Sequence, residues 1–387
     1  MPILNRAAEM QEEIAGWRRE LHTMPELNFD LFKTSAFVAD KLKSFGCDEV
    51  VTGIAKTGVV GLIRGNLGAG ATIGLRADMD ALPITEASGV PHASKHPGAM
   101  HACGHDGHTA MLLGAAKYLA ETRNFAGTVA VIFQPAEEGG GGGNVMVREG
   151  MMERFEIDKV FGMHNMPGLG IGEFAMRPGP IMAATAEFTI TVKGKGGHAA
   201  MPHRNIDPIV AASQIVMAFQ TIVSRSADPI ESLVVSVTKF HAGDAYNIIP
   251  AQAQIAGTVR TLKNEVAGIA RERIHEICAG IAAATGTEVI IDYDANYPVT
   301  FNHADETAFA GDVAASVAGE AKVQRAVAPT MGGEDFSYML QARPGAFVFL
   351  GNGNTATLHN PGYDFNDEAI PHGVSYWVKV AETALAA

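Results

Sequence analysis

Residues 128–138 read Thr-Val-Ala-Val-Ile-Phe-Gln-Pro-Ala-Glu-Glu, a short apolar run that ends in a Pro-Ala turn and two adjacent carboxylates. The run predicts a buried strand over Thr128–Phe133. Two more runs of this kind, Thr72–Ala77 and Lys159–Met163, are separated from it by longer helical patterns. Strands that alternate with helices predict a mixed, mostly parallel α/β sheet that is covered by helices on both faces.

The helical patterns of this first region cover Ala7–Leu21, Thr34–Phe45 and His105–Glu121. The first of them belongs to an amphipathic segment that starts near Met1 and has no apolar signal-peptide core. After Arg177-Pro-Gly-Pro180 the pattern changes to strand, helix, two strands, helix, strand. These six elements are predicted at Thr185–Lys193, Asp207–Val223, Leu233–Phe240, Gln252–Val259, Glu265–Ala284 and Glu288–Tyr293.

The order of these six elements is that of a ferredoxin-like α+β domain. We therefore predict one large domain in two parts, residues 1–181 and 296–387, with a smaller domain inserted at residues 182–295.

Composition limits the function classes to consider. The chain has 387 residues, 47% hydrophobic and 18% charged, which suffices for a large core in two domains. A formal net charge of −13 argues against nucleic acid or an anionic membrane as the main partner, but not against small anionic substrates. Three widely spaced cysteines predict no disulfide framework, and no run approaches the ~18–20 apolar residues of a membrane span. We expect a soluble cytoplasmic protein.

Polar residues follow the predicted strands directly. Asp78 and Asp80 come after the first strand, Gln134–Glu138 after the second and His164 after the third. Ligands of such sheets gather beyond the carboxyl ends of the strands, so these segments are expected to converge on one edge.

Residues 101–108 read His-Ala-Cys-Gly-His-Asp-Gly-His and lead into a predicted helix. A thiolate beside imidazoles favours Zn²⁺, and Cys103 with His105 offers two soft ligands across one glycine. Glu137 and Glu138 can divide two tasks, because one carboxylate can bind a metal while its neighbour accepts a proton from metal-bound water. The alternatives are a buried cysteine beside exposed histidines and a solvated acidic turn.

Taken together, these motifs are specific enough to indicate a family. The chain resembles the M20 metallopeptidase and amidohydrolase family, in its aminoacylase, hippurate hydrolase and indole-acetyl-amino-acid hydrolase branch. The segments that carry the resemblance are Arg76–Pro83, Met100–His108, Gln134–Gly139, Gly194–His203, Asn247–Pro250, Gly257–Arg260, Met331–Ser337 and Leu358–Gly362. They follow one another in family order through nearly the whole chain.

The resemblance implies a zinc-peptidase-like catalytic domain with a two-metal centre and an inserted domain that acts as lid and dimerisation domain. The implied protein ligands are Cys103 (bridging), His105, Glu138, His164 and His359. Glu137 would be the general base and acid, and Asp80 would support the ligands. The implied substrate contacts are His198 and Asn247 at the carbonyl, Arg260 at the substrate carboxylate, and Gly332. His359, by its spacing alone, would be a surface histidine.

The function implied is metal-dependent hydrolysis of an N-acyl amino acid to a carboxylic acid and a free amino acid. Benzoyl, acetyl, longer acyl and indole-acetyl groups all remain open. Zn²⁺ is favoured, with Mn²⁺, Ni²⁺ or Co²⁺ as alternatives. One competing function is a dipeptidase or aminopeptidase of the same superfamily, and another is a non-catalytic metal-binding protein. A homodimer or higher homo-oligomer through the inserted domain is expected.

Overall fold

Strands and helices alternate through most of the chain in the computed structural model, which describes residues 4–387. The helices are α1 (Asn5–Glu9), α2 (Gln11–His22), α3 (Phe32–Phe45), α4 (His105–Thr122), α5 (Gly142–Arg148), α6 (Met151–Arg154), α7 (Pro208–Thr221), α8 (Asn264–Thr285), α9 (Ala304–Ala318), α10 (Ser337–Ala342) and α11 (Ile370–Ala384).

The strands are β1 (Glu49–Ile54), β2 (Gly58–Arg64), β3 (Thr72–Asp78), β4 (Thr128–Gln134), β5 (Lys159–Met166), β6 (Phe174–Ala175), β7 (Gly179–Met182), β8 (Ala184–Lys193), β9 (Gly197–His198), β10 (Leu233–His241), β11 (Ile248–Ile249), β12 (Gln252–Thr261), β13 (Glu288–Tyr297), β14 (Thr300–Asn302), β15 (Val323–Gln324) and β16 (Gly345–Gly351). Met1, Pro2 and Ile3, where the predicted leading segment and first domain begin, lie outside the described residues.

The chain divides into two compact units. The larger unit contains the residues up to Ile181 together with Phe301–Ala328 and Asp335–Ala387. The smaller unit contains Met182–Thr300 and the short segment Pro329–Glu334.

An eight-stranded sheet forms the centre of the larger unit, in the order β1-β2-β4-β3-β5-β16-β6-β15. The four central strands β4, β3, β5 and β16 are parallel, whereas β1 and β2 add an antiparallel hairpin at one end. Every residue of β3 and of β16 is buried. Successive side chains of a strand point to opposite faces, so complete burial means that both faces are covered. The predicted fold class is confirmed.

One predicted strand end differs from the structure. The strand that was predicted to end at Met163 continues to Met166, because β5 keeps its parallel pairing with β16 as far as Met166 opposite Gly351. His164 therefore lies inside the strand rather than directly after it, opposite Phe349 of β16.

The leading helix predicted over Ala7–Leu21 is also different, since it is divided into α1 and α2 at Met10. Both pieces contact α4 and α11. α1 lies against α11, where the N–H of Leu4 donates to Ser375 Oγ (3.1 Å), and α2 packs mainly on α4. Met10 itself is 1% exposed and belongs to the core.

The smaller unit is built on a four-stranded sheet in the order β10-β12-β8-β13, with all neighbours antiparallel. The chain order of its elements is β8, α7, β10, β12, α8, β13. This is the ferredoxin-like order predicted from the sequence. Its core combines side chains of the sheet and the two helices, among them Phe188, Ile190, Ile215, Ile255 and Ile274.

One helical stretch of residues 4–387, Pro208–Ser226, is long and apolar enough to cross a membrane by length and composition alone, with a mean hydropathy of 1.2. Ser213, Gln214, Gln220 and Thr221 interrupt the stretch, so it is not an uninterrupted apolar run of the kind that the sequence prediction concerned. Because Ile215 and Phe219 of this stretch pack in the core of the smaller unit, the stretch forms part of a folded domain.

Candidate metal centre

Parallel strands bring the predicted site residues of the larger unit together. β3 ends at Asp78, β4 leads into the turn that carries Glu137 and Glu138, and His164 lies near the end of β5. These three strands are neighbours in the sheet and point the same way, so their carboxyl ends share one edge. Cys103 lies two residues before α4.

The five residues implied as ligands lie close together. Cys103 Sγ is 3.4 Å from His164 Nε2, and the ligand atoms of Cys103, Glu138 and His359 all lie within 4.8 Å of one another. Glu138 also links the set to His105, whose Nε2 is 3.9 Å from Glu138 Oε1. Glu138 Oε2 is 3.4 Å from His359 Nε2.

Two buried atoms of this cluster have no hydrogen-bond partner among the residues that the structure describes: His105 Nε2 and Glu138 Oε1. A buried polar atom without a partner costs about 1–3 kcal/mol. The two atoms lie 3.9 Å apart, and imidazole nitrogen, carboxylate oxygen and thiolate sulfur together form a donor set for divalent ions. The residues therefore fit a metal centre.

Glu137 takes a different position from Glu138. Its carboxylate lies 4.0 Å from His105 Nε2 and is close to Glu138, but it is not part of the group formed by Cys103, Glu138 and His359. Glu137 is 7% exposed. The two adjacent carboxylates thus share His105 as a neighbour, and only Glu138 also lies close to Cys103 and His359.

Asp80 fixes the main chain of this pair of glutamates. Its two carboxylate oxygens accept hydrogen bonds from the backbone N–H groups of Glu137 and Glu138, both at 3.0 Å. His105 Nδ1 lies 2.9 Å from the main-chain oxygen of Asp80. This contact assigns the ring proton to Nδ1 and leaves Nε2 free as a ligand atom.

Asp78 and His108 form a second support. His108 Nδ1 lies 2.6 Å from Asp78 Oδ1, and His108 Nε2 accepts from the backbone N–H of Asn165 (2.9 Å). Asp78 Oδ2 lies 2.8 Å from Arg76 Nη1, which makes Arg76 the structural partner of Asp78. Both His108 nitrogens are engaged in hydrogen bonds, so this histidine positions its neighbours.

The electrostatics of the cluster favour a cation. Burial and the charges of Glu138 and Glu137 raise the pKa of the Cys103 thiol well above its usual range. Burial is also the main reason why the pKa of His164 is well below its ordinary value, which keeps that ring neutral. A bound cation would instead lower the pKa of the Cys103 thiol, since a coordinated thiol is deprotonated.

His105 behaves in the opposite way from His164. Burial disfavours its charged form, but Asp78, Asp80 and Glu138 outweigh burial and raise the pKa of His105 to about 10. The carboxylates around His105 therefore stabilise its protonated ring. A bound divalent ion would balance the same negative charge.

Asp106 and His101 of the 101–108 segment belong to none of the candidate metal-binding groups among residues 4–387. Asp106 Oδ2 is 2.8 Å from His22 Nδ1 and 3.6 Å from Arg18 Nη1. His101 is buried, and neither of its ring nitrogens has a hydrogen-bond partner among residues 4–387.

The smaller unit carries the residues implied as substrate contacts. His198 is opposite Ile248 in the β9–β11 pair, and the N–H of Ala199 donates to the main-chain oxygen of Asn247 (3.0 Å), so His198 and Asn247 are neighbours. Both are exposed.

Arg260 lies in β12 opposite Thr185 of β8. Gly333 packs against Thr185, and the preceding Gly332 accepts from the N–H of Ala183 at 2.9 Å. Burial lowers the pKa of Arg260, with Glu187 acting in the opposite direction.

Sequence reasoning gave no role to Asn165, Tyr363 or Asp335. Asp335 accepts from Gln134 Nε2 (2.7 Å), the N–H of Gly143 (2.8 Å) and Arg76 Nη2 (3.1 Å), and thereby fastens the turn that carries the two glutamates. Its signal was its place in the motif Met331–Ser337. Asn165 had a weaker signal, its position directly after His164.

Comparison with known proteins agrees with this site. The model of peptidase family M20/M25/M40 matches residues 74–383. Hippurate hydrolase of Campylobacter jejuni is 45% identical over 382 residues, with 98% of this chain and 99% of that protein covered. N-acetyl-L-cysteine deacetylase of Bacillus subtilis is 41% identical, covering 93% and 85%.

Among solved structures, the YXEP protein of Bacillus subtilis, a dinuclear metal binding peptidase from the M20 family, superposes with a TM-score of 0.84. It is 35% identical in sequence and covers 98% of this chain and 99% of its own. The chain belongs to peptidase family M20/M25/M40 and is a hydrolase that acts on amide bonds.

Proposed function

We propose that this protein hydrolyses N-acyl amino acids to a carboxylic acid and a free amino acid, using divalent metal ions. The observation that carries the proposal is the arrangement of Glu137 and Glu138. His105 Nε2 lies 3.9 Å from Glu138 and 4.0 Å from Glu137, but only Glu138 also shares a group with Cys103 and His359. One carboxylate is thus available to bind metal and the other to transfer a proton.

Two divalent ions would be held by Cys103, His105, Glu138, His164 and His359. When bound, such ions lower the pKa of water towards neutrality and polarise a carbonyl oxygen. The mixture of thiolate, imidazole and carboxylate favours Zn²⁺, and Mn²⁺, Ni²⁺ or Co²⁺ suit the same donors.

Glu137 acts as the proton carrier. It takes a proton from the attacking water and gives it to the nitrogen of the leaving amino acid, so one residue is base and then acid. The hydrogen bond from the backbone N–H of Glu137 to the Asp80 carboxylate fixes the main chain of Glu137. Its low exposure limits competition from bulk water.

His198 and Asn247 are proposed to stabilise the negative charge that develops on the carbonyl oxygen. Their proximity on the β9–β11 pair and their exposure support this role. Arg260 is proposed to bind the carboxylate of the substrate, since a planar guanidinium can offer it two parallel hydrogen bonds. Gly332, whose main-chain oxygen accepts from the N–H of Ala183, is proposed as a further substrate contact.

The substrate class follows two relatives, the hippurate hydrolase and the N-acetyl-L-cysteine deacetylase, whose names share an acyl group on an amino acid nitrogen. Both benzoyl and acetyl groups are candidates for the acyl part. The proposed carboxylate contact of Arg260 demands an amino acid with a free carboxyl group on the other side of the amide.

We also propose a homodimer through the smaller unit. α7 buries one side in its own core and exposes Val210 (51%) and Met217 (71%) on the other. A second copy of the chain would cover these side chains. Light scattering of the wild type and of Met217→Asp tests this: a dimer that becomes a monomer supports the proposal, and a wild-type monomer contradicts it.

The test of the function is a hydrolysis panel with the metal-loaded protein. It compares hippurate, N-acetyl amino acids and indole-acetyl amino acids with dipeptides that have a free amino group, and with hippurate amide, which lacks the carboxylate. We expect turnover of at least one N-acyl amino acid and much slower hydrolysis of its amide. Faster turnover of the dipeptides than of every N-acyl amino acid would contradict the proposal and favour a dipeptidase.

A further inference from the structure

Asn165 follows His164 in β5 and is fully buried. All of its polar groups are engaged. Its backbone N–H donates to His108 Nε2 (2.9 Å), and its backbone oxygen accepts from His164 Nδ1 (2.7 Å). Its side-chain Nδ2 donates to the main-chain oxygen of Cys103 (2.6 Å), while Oδ1 accepts from the Tyr363 hydroxyl (2.6 Å). One residue thus links four separate parts of the site.

The first consequence concerns the tautomer of His164. A backbone oxygen can only accept, so the proton of the His164 ring lies on Nδ1. Nε2 then carries the lone pair, and it is this atom that lies 3.4 Å from Cys103 Sγ. The hydrogen bond to Asn165 therefore orients the His164 ring and leaves its Nε2 available to bind a metal ion.

The second consequence concerns the Cys103 loop. Gly104 has a φ of +90°, and a Cβ at this position would overlap Asn165 Nδ2 and lie 2.6 Å from the Tyr363 hydroxyl oxygen. Only glycine allows the loop to lie this close to Asn165. This close approach holds the carbonyl of Cys103 against the side-chain amide of Asn165. The position of the Cys103 thiol is fixed as a result.

The third consequence concerns His359, which comes from a turn far along the chain. His359 has a φ of +62°, unusual for a residue with a side chain, and its N–H donates to the main-chain oxygen of Ala102 (2.8 Å). Tyr363 closes the same turn through a hydrogen bond from its N–H to Asn360 (2.9 Å). The hydroxyl of Tyr363 ties this turn to Asn165.

We infer that Asn165 is a positioning residue for the metal centre. It holds Cys103 and His164 directly, and through Tyr363 it holds the turn that carries His359. The inference rests on the ligand set of the proposed function. It predicts that loss of the Asn165 amide weakens metal binding, although Asn165 itself offers no ligand.

Two variants test the inference, one that changes the Asn165 amide and one that removes a single hydroxyl group bonded to it. Asn165 Nδ2 lies 2.6 Å from the Cys103 carbonyl oxygen and 3.0 Å from His108 Nε2. Asn165→Asp keeps the shape but puts an oxygen at this position, where a donor is required. Tyr363→Phe removes only the hydroxyl that donates to Oδ1. Zn²⁺ affinity is measured by competition with a chelator, and we expect it to fall about 10- to 100-fold in Asn165→Asp and about 10-fold in Tyr363→Phe.

Asn302→Asp is the matched control. Asn302 is equally buried, and its amide donates to the main-chain oxygens of Arg177 (3.0 Å) and Phe347 (2.9 Å). Thermal unfolding of the metal-free proteins reports the purely structural cost, which we expect in Asn302→Asp as well as in Asn165→Asp. The visible absorption of the Co²⁺-loaded proteins, including the cobalt–thiolate band, should change in the two site variants and stay as in wild type in the control.

Wild-type protein that binds no Zn²⁺ or Co²⁺ would refute the proposed function itself. Wild-type binding with unchanged affinity and spectrum in both Asn165→Asp and Tyr363→Phe would leave the function intact and overturn the positioning role. An equal loss of metal affinity in Asn302→Asp would also overturn it, because the effect would then follow from general destabilisation.

Discussion

The carboxylate of Asp80 accepts a hydrogen bond from the backbone N–H of Glu137 at 3.0 Å. A buried carboxylate thus fixes the main chain of the proposed proton carrier, and its other oxygen does the same for the next residue. Burial is the main reason why the pKa of Asp80 is raised. The side chain that performs the chemistry is therefore positioned by a residue that need not touch the substrate.

The first prediction concerns this support. Asp80→Ala removes both acceptors, so the turn with Glu137 and Glu138 should lose its fixed position. Such supporting partners typically contribute 10- to 100-fold, and we expect a fall of that order in kcat/KM on hippurate or the best N-acyl substrate. Steady-state kinetics at saturating metal measures it, and wild-type kinetics in Asp80→Ala would show that the support is dispensable.

The second prediction concerns Glu137 itself. Glu137→Gln keeps the shape but cannot accept a proton, so kcat should fall by about 10²- to 10⁴-fold while bound metal stays at the wild-type level. Glu138→Gln is the matched comparison, because it should lose metal affinity as well as activity. Elemental analysis after dialysis, combined with kinetics, separates the two residues. Near-normal turnover of a metal-loaded Glu137→Gln would disprove the assignment.

The third prediction concerns the pH dependence of stability. Burial and Arg18 disfavour the charged ring of His22, but Asp106 and Glu86 outweigh them and raise the pKa of His22 to about 9. A histidine with a raised pKa in the folded protein contributes stability that is complete below its unfolded pKa of about 6.5 and is lost as the pH rises through 9. The full contribution is on the order of 3 kcal/mol.

Urea unfolding from pH 6 to pH 9.5 measures this effect. The wild type should lose stability across the window, and His22→Gln, which has no titrating ring at this position, should lose less. An identical pH slope in the two proteins would mean that His22 does not carry the expected charge.

Much of the site was predictable because it depends on strand ends. Asp78, Glu137, Glu138 and the segment around His164 follow three buried runs, and parallel pairing places their ends at one edge of the sheet. The ferredoxin-like order of the smaller unit was equally clear, since its strands and helices have distinct periodicities.

The residues that sequence patterns did not reveal depend on contacts between distant segments. Asn165 and Tyr363 are 198 positions apart, and no local pattern indicates that their side chains meet. His359 is exposed, as its spacing predicted, but no local pattern indicates that its Nε2 lies 3.4 Å from Glu138 Oε2 in the folded chain. The division of the leading helix at Met10 likewise has no local signal, because the apolar spacing continues across Met10.

Metal removal and reconstitution tests the central claim most directly. The protein is stripped with a chelator, dialysed, and assayed on hippurate and N-acetyl amino acids before and after titration with Zn²⁺, Mn²⁺, Ni²⁺ or Co²⁺. We predict no turnover without metal and recovery that saturates near two ions per chain for at least one metal. Undiminished hydrolysis by the metal-free protein, or no hydrolysis of any N-acyl amino acid at full occupancy, would contradict the account.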